Sequence, residues 1–416
     1  MKILIYSANF APEPTGIGKY SGEMASWLAD QGHQVRVICA PPYYPNWKLD
    51  PRYAPQTYRR EFAQGIDVWR APIWIPKSPG GLTRVLHLLS FAITSLPVVL
   101  WQVFWRPEVV ICVAPALVCA PAGLLTARLS RAKAWLHLQD FEVDMAFRMG
   151  LLKGRLFQRM VLRMERAFLR RFEIVSSISA RMVELLLEKG VSPARSFYFP
   201  NWVDISKFDT SSSSSRYREQ LGIASNAKVV LFSGSLGGKQ GLMVIPEVAK
   251  ILKERADIVF VICGDGLMKP VLETATAGLP NVKLLPLQPL DRLGELLGTA
   301  DIHLLPQSRN AADLVLPSKL SGMLASGRPV IATCDAGTEI NSVVSQCGLV
   351  VPPEDVAALS NAICKLVDDD ETRLELGRCA RRFADDNFEF NRVLSRVFAA
   401  VNPDPALVSE DSPAVT

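Results

Sequence analysis

Short apolar runs that alternate with helical patterns constrain the fold of this chain more than any other feature. In the first half, seven such runs predict strands at Ile3–Tyr6, Val35–Ala40, Val68–Ala71, Val109–Val113, Trp135–Leu138, Ile174–Ser177 and Phe197–Phe199. The stretches between them predict helices at Ile17–Asp30, Arg84–Phe104, Pro121–Ser130, Phe147–Phe172 and Ala180–Lys189. Strands that are apolar on both faces and joined by helices form parallel sheets covered by helices on both sides.

The same alternation starts again after a serine run at residues 211–215, which is typical of a flexible loop. Strands are predicted at Val229–Ser233, Ile258–Cys263, Val282–Leu285, Ile302–Leu305, Val330–Ala332 and Leu349–Val351, and two last helices at Glu371–Phe383 and Phe390–Ala400. The sequence therefore predicts an α/β fold with two Rossmann-like, doubly wound parallel-sheet domains that face a central cleft.

The predicted domain limits follow from this repeat. We expect an N-terminal domain at residues 1–203 and a C-terminal domain at residues 204–385. A helix at 386–402 is expected to return to the N-terminal domain, and the polar tail 403–416 to be disordered. Because ligands of such sheets bind at the carboxyl ends of the strands, the cleft between the domains is the predicted binding site.

Composition excludes several classes of protein. The chain has 416 residues with a formal net charge of +5, which suits two domains and does not indicate nucleic-acid binding. Its eight cysteines form no CxxC pair and its four histidines form no HExxH motif, so neither a disulfide framework nor a metal site is expected. The apolar N-terminal run is too short for a signal peptide, and a cytoplasmic protein is expected.

One segment, residues 85–105, contains no Asp, Glu, Lys or Arg and is long enough to span a membrane. Pro97 interrupts it, and a crossover helix is needed at this place, so we expect it to lie in the bilayer interface with Trp101 and Trp105 as anchors. Residues 148–171 form either a basic amphipathic helix for anionic lipid or a core helix with a solvated basic face. The basic residues at helical spacing are Arg155, Arg159, Arg163, Arg166 and Arg170.

Two lysines on loops that follow strands indicate a phosphate ligand. A helix starting at residues 317–319 places Lys319 where backbone N–H groups already carry positive charge, which is favourable when an anion binds there. The alternative is an ordinary serine-capped helix start. The loop Ser233–Gly241 combines small residues with Lys239, a pattern suited to phosphate oxygens. We expect the two lysines to hold one diphosphate together.

A nicotinamide site is not expected, although glycines follow the first strand. The turn at residues 15–21 contains Gly16 and Gly18 but lacks the third glycine of GxGxxG, and the second strand ends without an acidic residue. These glycines either let a phosphate-bearing ligand approach the backbone or simply form a turn. The same two interpretations hold for Gly264 and Gly266.

Five segments of the second half occur in this order: FSGSLGGKQGL, VICGDGLMKP, LPLQPLDRLGELLGTADIHLLP, LPSKLSGMLASGRPVIAT and GLVVPPEDVAALSNAI. Together they resemble glycosyltransferase family four, whose members are retaining enzymes with the glycosyltransferase B fold. Upstream, YSANFAPEPTGIGKYSGEMASWLADQGHQVRVICAPPYYP and HLQDFEVD resemble the colanic-acid fucosyltransferase branch, and FPNWVD resembles a family element near the domain joint. The resemblance covers the chain to about residue 390.

The resemblance implies roles for individual residues. His137 and Asp140 would face the transferred sugar or the acceptor, with His137 positioning the donor sugar. Lys239 and Lys319 would stabilise the departing diphosphate. The donor-binding residues would be Gly16 and Gly18 against its phosphates or sugar, Gly264, Asp265 and Leu287 near the base, and Ser235, Asp313, Ser318 and Glu339.

Two features depart from the family pattern. The usual Glu-x7-Glu pair is replaced by Leu314 and Gly322, so the ribose contact must come from elsewhere, with Asp313 or Glu339 as candidates. Ser235 stands where many members carry an arginine. No DxD motif follows a strand, and a metal is not needed if lysines and a helix dipole neutralise the leaving diphosphate.

The resemblance thus implies a retaining transferase that moves a sugar, with fucose from GDP-fucose favoured, in exopolysaccharide biosynthesis. The expected partners are a nucleotide-sugar donor, a polyprenyl-diphosphate-linked or oligosaccharide acceptor and an anionic membrane surface on the cytoplasmic side, with no cofactor beyond the donor. One alternative is a nucleotide-sugar epimerase of similar fold. The other is an inactive membrane-associated partner of another transferase, which the missing glutamates motivate.

Overall fold

The protein is described by a computed structural model that covers residues 1–78, 80–114, 118–141, 155–208, 216–309 and 316–401. The chain divides into two compact units, one formed by residues 1–199 with the segment that begins at Leu394, the other by residues 200–393. Each unit contains one sheet of mainly parallel strands, and the helices that connect successive strands cover it. The predicted α/β class with two parallel-sheet domains is confirmed.

The first unit contains eight strands and five complete helices among its described residues. The strands are β1 Lys2–Ser7, β2 Gln34–Cys39, β3 Arg59–Ala63, β4 Ile66–Arg70, β5 Val109–Ala114, β6 Lys133–Leu138, β7 Ile174–Ser177 and β8 Ser196–Tyr198. The helices are α1 Gly16–Asp30, α2 Gly81–Trp101, α3 Ala120–Ser130, α4 Arg155–Leu169 and α5 Ala180–Glu188. The strand order is β3-β4-β2-β1-β5-β6-β7-β8, with every neighbouring pair parallel except β3 and β4.

The second unit has a six-stranded, wholly parallel sheet in the order β11-β10-β9-β12-β13-β14. Its strands are β9 Lys228–Ser233, β10 Ile258–Cys263, β11 Val282–Leu285, β12 Ile302–Pro306, β13 Val330–Thr333 and β14 Gly348–Val351. Its helices are α6 Arg216–Gln220, α7 Val244–Ile251, α8 Lys269–Thr276, α9 Leu293–Gly298, α10 Ser318–Ala325, α11 Glu339–Cys347, α12 Val356–Asp368 and α13 Asp370–Asn387. A last helix, α14 Phe390–Val401, begins in this unit and ends in the first.

Apolar side chains on both faces of the second sheet form its core. Val229 and Leu231 of β9 contribute to the cluster on one face, and Val230 and Phe232 to the cluster on the other. Successive side chains of a strand point to opposite faces, so a strand covered on both sides must be apolar throughout. This is why a run without polar alternation correctly predicted β9.

Most predicted elements are confirmed, with one strand missed. Strand β3 is antiparallel, mostly exposed and rich in charge, so its sequence RREFA lacks the apolar pattern of the other strands. Helix α2 continues through Pro97 to Trp101, and a 3-10 turn at Gln102–Trp105 follows it. The first part of the predicted helix 147–172, the serine run 211–215 and the tail 403–416 lie outside the described residues.

Candidate functional site

Three loops interlock at the carboxyl ends of β9, β10 and β11. The Gly234 amide donates to the Cys263 carbonyl at 3.0 Å, and the Gly264 amide donates to the Leu285 carbonyl at 3.1 Å. Gly264 has φ +159°, and a Cβ there would overlap the carbonyl oxygen of Gly234. The glycine is therefore required for the close approach of two loops, in addition to any role toward a ligand. The result is a stable block of backbone at the edge of the sheet where ligands of such folds bind.

Lys319 lies in the first turn of α10, beside this block. Its Nζ is shielded from solvent and has no hydrogen-bond partner among the described residues. The Nζ lies 4.3 Å from the centre of the Phe232 ring, and a Cβ at Gly234 would be 3.3 Å from the lysine Cδ. Burial lowers the pKa of Lys319 to about 8. An ammonium group in this position favours an anion, because cation–π contact compensates only part of the lost hydration.

The other predicted donor residues of the second unit are placed as follows. Ser235, Asp265, Leu287 and Ser318 are exposed at the ends of strands or at the start of α10. Glu339 is buried in the first turn of α11, which Thr338 caps by accepting from the Asn341 amide at 3.2 Å. The ammonium group of Lys239 and all of Asp313 lie outside the described part of the chain. Their expected contacts with the diphosphate and the ribose stay predictions.

A cavity of about 180 Å³ adjoins the interlocked loops. Leu236, Leu272 and Leu284 contribute apolar walls, and Lys269 and Glu273 bring the two charges of its lining. Apolar walls with a few polar groups are typical of sites that hold a flat ring system. The cavity includes Gly264, which the sequence predicts near the nucleobase.

Gly322 stands at the position of the family's second glutamate, and its surroundings are closely packed. A Cβ added to Gly322 would lie 3.2 Å from Leu297 Cδ1 and 3.8 Å from Phe208 Cζ. This face of α10 therefore packs into the core of the second unit. A glutamate here would have to displace apolar side chains before it could reach a ribose.

In the first unit, His137 lies near the end of β6 and is buried. Its Nε2 is 2.9 Å from the Gln139 amide nitrogen, which can only donate, so Nε2 accepts and Nδ1 carries the proton. The Nδ1–H donates to Ser176 Oγ at 2.9 Å. Burial lowers the pKa of His137 to about 3, so the ring is neutral at physiological pH. A direct contact between His137 Nε2 and a sugar would require the Gln139 amide to move.

Asp140 follows His137 by three positions and is only partly buried. Burial raises its pKa, while a hydrogen bond from the Phe141 amide and the positive charge of Arg84 act in the opposite direction. Arg84 belongs to α2, so this helix contributes a cation near the end of β6. Arg84 was not among the site residues predicted from the sequence.

Glu13 is a buried residue that the sequence analysis also missed. Its Oε1 accepts from the amides of Tyr43 and Tyr44 at 3.1 and 3.0 Å, and its Oε2 accepts from Asn9 Nδ2 at 2.9 Å. Its side chain occupies the space that a Cβ at Gly18 would need, so Gly18 is buried and serves packing. Gly16, in contrast, is exposed with φ +61°. The available signal was an acidic residue between two prolines, six positions after the end of β1.

The structure thus gathers the predicted residues into two sets. One set, with Lys319, Gly264, Asp265 and Leu287, lies on loops or helix starts at the carboxyl edge of the second sheet. The other, with His137, Asp140 and Gly16, lies near or beyond the carboxyl ends of β6 and β1 in the first sheet. Within the described ranges, no group of His, Cys, Asp and Glu side chains is arranged to hold a metal ion.

Comparison with known proteins agrees with this geometry. Residues 15–202 match the Glycosyl transferase 4-like domain, and residues 227–369 match Glycosyl transferases group 1. A protein of Escherichia coli K12, named as the colanic acid biosynthesis glycosyl transferase WcaI, is 43% identical over 369 residues, which are 86% of this chain and 90% of that protein.

Two solved structures share the fold at low sequence identity. Sucrose-phosphate synthase from Thermosynechococcus elongatus superposes with a TM-score of 0.69 at 16% identity, covering 96% of this chain and 98% of that one. The Anabaena protein HepE, solved with UDP and glucose, gives a TM-score of 0.66 at 17% identity, covering 96% and 99%. The chain belongs to glycosyltransferase family four, and it is a glycosyltransferase of the B fold.

Proposed function

We propose that this protein transfers a sugar, with GDP-fucose the favoured donor, to a lipid-linked glycan acceptor with retention of configuration at the anomeric carbon. The observation that carries the proposal is the buried ammonium group of Lys319, which lies beside interlocked strand-end loops and has no hydrogen-bond partner among the described residues. The 43% identical relative is named for colanic acid biosynthesis, which supports an exopolysaccharide pathway of that type. Retention and the choice of fucose rest on the family resemblance.

Lys319 would act on the leaving group. When the bond between the anomeric carbon and the diphosphate oxygen breaks, negative charge develops on that oxygen. A fixed ammonium group and the backbone N–H groups in the first turn of α10 would stabilise this charge without solvent reorganisation. The acceptor hydroxyl forms the new bond to the anomeric carbon, and its proton passes to the departing phosphate oxygen. This chemistry requires no metal.

The first unit would bind the sugar side of the reaction. A neutral His137, held by Ser176 and Gln139, can orient neighbouring groups by hydrogen bonding but does not supply a positive charge. Asp140, whose pKa burial raises, lies within the field of Arg84 and would meet hydroxyl groups of the transferred sugar or of the acceptor. The two residues would thus set geometry, while the charge of Lys319 lowers the barrier.

A donor screen tests this function. Purified protein is incubated with GDP-, UDP- and dTDP-sugars and with membranes that contain lipid-linked acceptors, and radiolabel transferred to lipid is counted. Transfer from GDP-fucose in preference to the other donors is expected. Formation of an epimer without acceptor would favour the epimerase, and no transfer or donor hydrolysis with any nucleotide sugar would favour the inactive partner.

We also propose that the protein acts at the cytoplasmic membrane surface. One helical segment, residues 82–105, is long and apolar enough to cross a membrane, and most of it is not buried in the protein. Leu82, Ile93, Trp101 and Phe104 are each more than 60% exposed. An exposed apolar helix flanked by tryptophan suits the bilayer interface.

The basic helix α4 supports the same surface role. Arg159, Arg163 and Arg166 are exposed on this helix, together with Met160 and Met164. Its opposite side is fixed by Glu165, which forms a buried ion pair with Lys189 at 2.5 Å. Exposed cations near a membrane contribute on the order of 1 kcal/mol each to binding of anionic lipid.

A further inference from the structure

We propose that a cavity of about 140 Å³ in the first unit binds one sugar ring of the acceptor glycan. The proposal rests on the proposed function and names an acceptor subsite for it. The lining residues used in the argument are Gly16, Tyr43, Tyr44, Trp47, Arg84 and His87. By the volume of liquid water, the space equals that of four or five water molecules, which a ring with several hydroxyl groups would replace.

Three aromatic side chains pack together at this cavity. The ring centres of Tyr43 and His87 are 4.8 Å apart, those of Trp47 and His87 are 5.2 Å apart, and those of Tyr43 and Trp47 are 5.7 Å apart. Aromatic faces bind the apolar C–H face of a pyranose, while polar groups at the edge fix its orientation.

Trp47 adopts an unusual backbone conformation to reach this cluster. Its φ is +51°, in the left-handed region that a bulky side chain rarely occupies. Such strain persists where the surrounding structure imposes it, often at ligand sites. The indole is only partly buried, so its position is not explained by core packing alone.

His87 offers an unused hydrogen-bond acceptor. Its Nδ1 is 2.5 Å from the Trp74 carbonyl oxygen, which can only accept, so the proton must be on Nδ1. Burial lowers the pKa of the ring, which is therefore neutral and leaves a lone pair on Nε2. That Nε2 is shielded from solvent and has no partner among the described residues. A hydroxyl group is the ligand chemistry that satisfies a buried acceptor of this kind.

Two observations favour the acceptor over the donor phosphates. The carboxyl group of Glu13 lies directly against Gly18 and accepts hydrogen bonds from the Tyr43 and Tyr44 amides, so these two backbone N–H groups are not available to a diphosphate at this glycine turn. Helix α2 also carries both Arg84 and His87 of the cavity and, within one turn of them, the exposed Leu82, Val85 and Leu86. A sugar attached to a lipid in the bilayer would therefore reach the cavity from the apolar side of the same helix.

Saturation-transfer NMR with methyl glycosides of glucose, galactose, fucose and glucuronic acid tests the subsite in the full-length protein. We expect at least one glycoside to bind at millimolar concentration, and its binding to weaken at least fivefold in Trp47→Ala and in His87→Asn. Asparagine retains a donor for the Trp74 carbonyl but removes the Nε2 acceptor, so folding is preserved. Thermal melts and GDP affinity, measured by calorimetry, should match wild type.

The outcomes separate this proposal from the proposed function. Absence of binding by every glycoside, or equal binding by wild type and both variants, would overturn the subsite even if transfer is observed. Variants that raise KM for the nucleotide sugar and leave acceptor KM unchanged would assign the cavity to the donor and also overturn it. Loss of all transfer in wild type, with glycoside binding intact, would instead count against the proposed function.

Discussion

At the scale of single residues, Lys319 is a buried cation of the second unit. Among the described residues, no acidic side chain lies within hydrogen-bonding distance of its ammonium group. Lys319 is held against Phe232 and the space above Gly234, and burial lowers its pKa to about 8. A lysine in this state is costly for the free protein and becomes favourable when an anion arrives. The energetic cost in the free protein and the proposed affinity for a diphosphate therefore have the same origin.

The pH dependence of nucleotide binding follows from this pKa. The unbound lysine loses its proton above about pH 8, while a bound diphosphate keeps it charged, so affinity for GDP should fall about tenfold between pH 7 and pH 9. Calorimetric titration across this range measures the effect. Lys319→Arg should flatten the profile because arginine stays charged, and Lys319→Met should weaken binding at pH 7 and remove the pH dependence. A profile that is unchanged in Lys319→Met would show that another group titrates.

The same lysine affects stability in the opposite sense. Its pKa is lowered on folding, so the unfolded chain binds more protons than the folded one between about pH 8 and pH 10.5. The free energy of unfolding of the ligand-free protein should therefore rise across this window. Urea unfolding of wild type and Lys319→Met at pH 7 and pH 10 checks it, and the rise should be smaller in the variant. Equal changes in both proteins would contradict the assignment.

Gly322 gives a test of the missing glutamate. Restoring the family residue with Gly322→Glu should destabilise the protein by about 2–4 kcal/mol, because Leu297 and Phe208 occupy the space and a carboxylate would be buried. Gly322→Ala is the control, since one methyl group needs a shift of only a few tenths of an ångström and gains helix propensity of about 1 kcal/mol. Denaturant unfolding compares the two. A stable Gly322→Glu variant with tighter nucleotide binding would show that the helix can turn this face to a ribose.

At the scale of elements, the sequence predicted the repeated buried strands and helices. It missed the features that depend on contacts between distant segments. Buried parallel strands such as β9 are apolar throughout, so their pattern is visible in one dimension. The edge strand β3 lacks this apolar pattern, because its five residues are mostly exposed and charged. The burial of Glu13 under Gly18 depends on the amides of Tyr43 and Tyr44, thirty positions further on. No local pattern encodes such a contact.

The candidate site shows the same division. Lys319 was predicted from its position at a helix start, which the sequence reveals, and the role of His137 was implied by the family resemblance. Burial lowers the pKa of His137, and the hydrogen bonds that hold both its nitrogens come from Ser176 on the next strand and from Gln139. The packing that excludes a glutamate at Gly322 comes from α9 and from Phe208. The sequence therefore indicates which residues belong to the candidate site. Burial and tertiary contacts determine their protonation and which groups they can contact.

Helix α2 provides a prediction about membrane binding. Ile93 is 70% exposed on this helix, and Ile93→Glu should reduce binding to phosphatidylglycerol vesicles about tenfold or more, because an apolar contact of roughly 1.5–3 kcal/mol is replaced by a charge. Vesicle sedimentation measures the bound fraction. Phe62→Glu is the matched control, since Phe62 is 73% exposed but lies on β3 and should leave binding unchanged. Equal losses in both variants would indicate a non-specific effect of charge.

At the scale of the whole molecule, helix α14 begins with residues of the second unit and ends with residues of the first. Phe390, at its start, contacts Trp202 of the second unit with ring centres 6.0 Å apart. Phe398, two turns later, contacts Trp27 and Trp135 of the first unit at 5.7 and 5.2 Å. The first unit is thus completed only after the chain has passed through all of the second.

Phe390 and Phe398 lie on the same helix but pack in different units, so their substitutions form a matched pair of tests. Phe398→Ala should destabilise the first unit by about 2 kcal/mol, because Trp135 lies in the middle of its sheet and loses a packed ring. Amide hydrogen exchange should then become faster in β1 and β6 while β9 and β12 keep the wild-type rate, since units with separate cores open separately. Phe390→Ala should leave β1 and β6 unchanged and speed exchange near Trp202. Faster exchange in both sheets after the Phe398 substitution would mean that the two cores unfold as one cooperative unit, and the helix would then be the element that couples them.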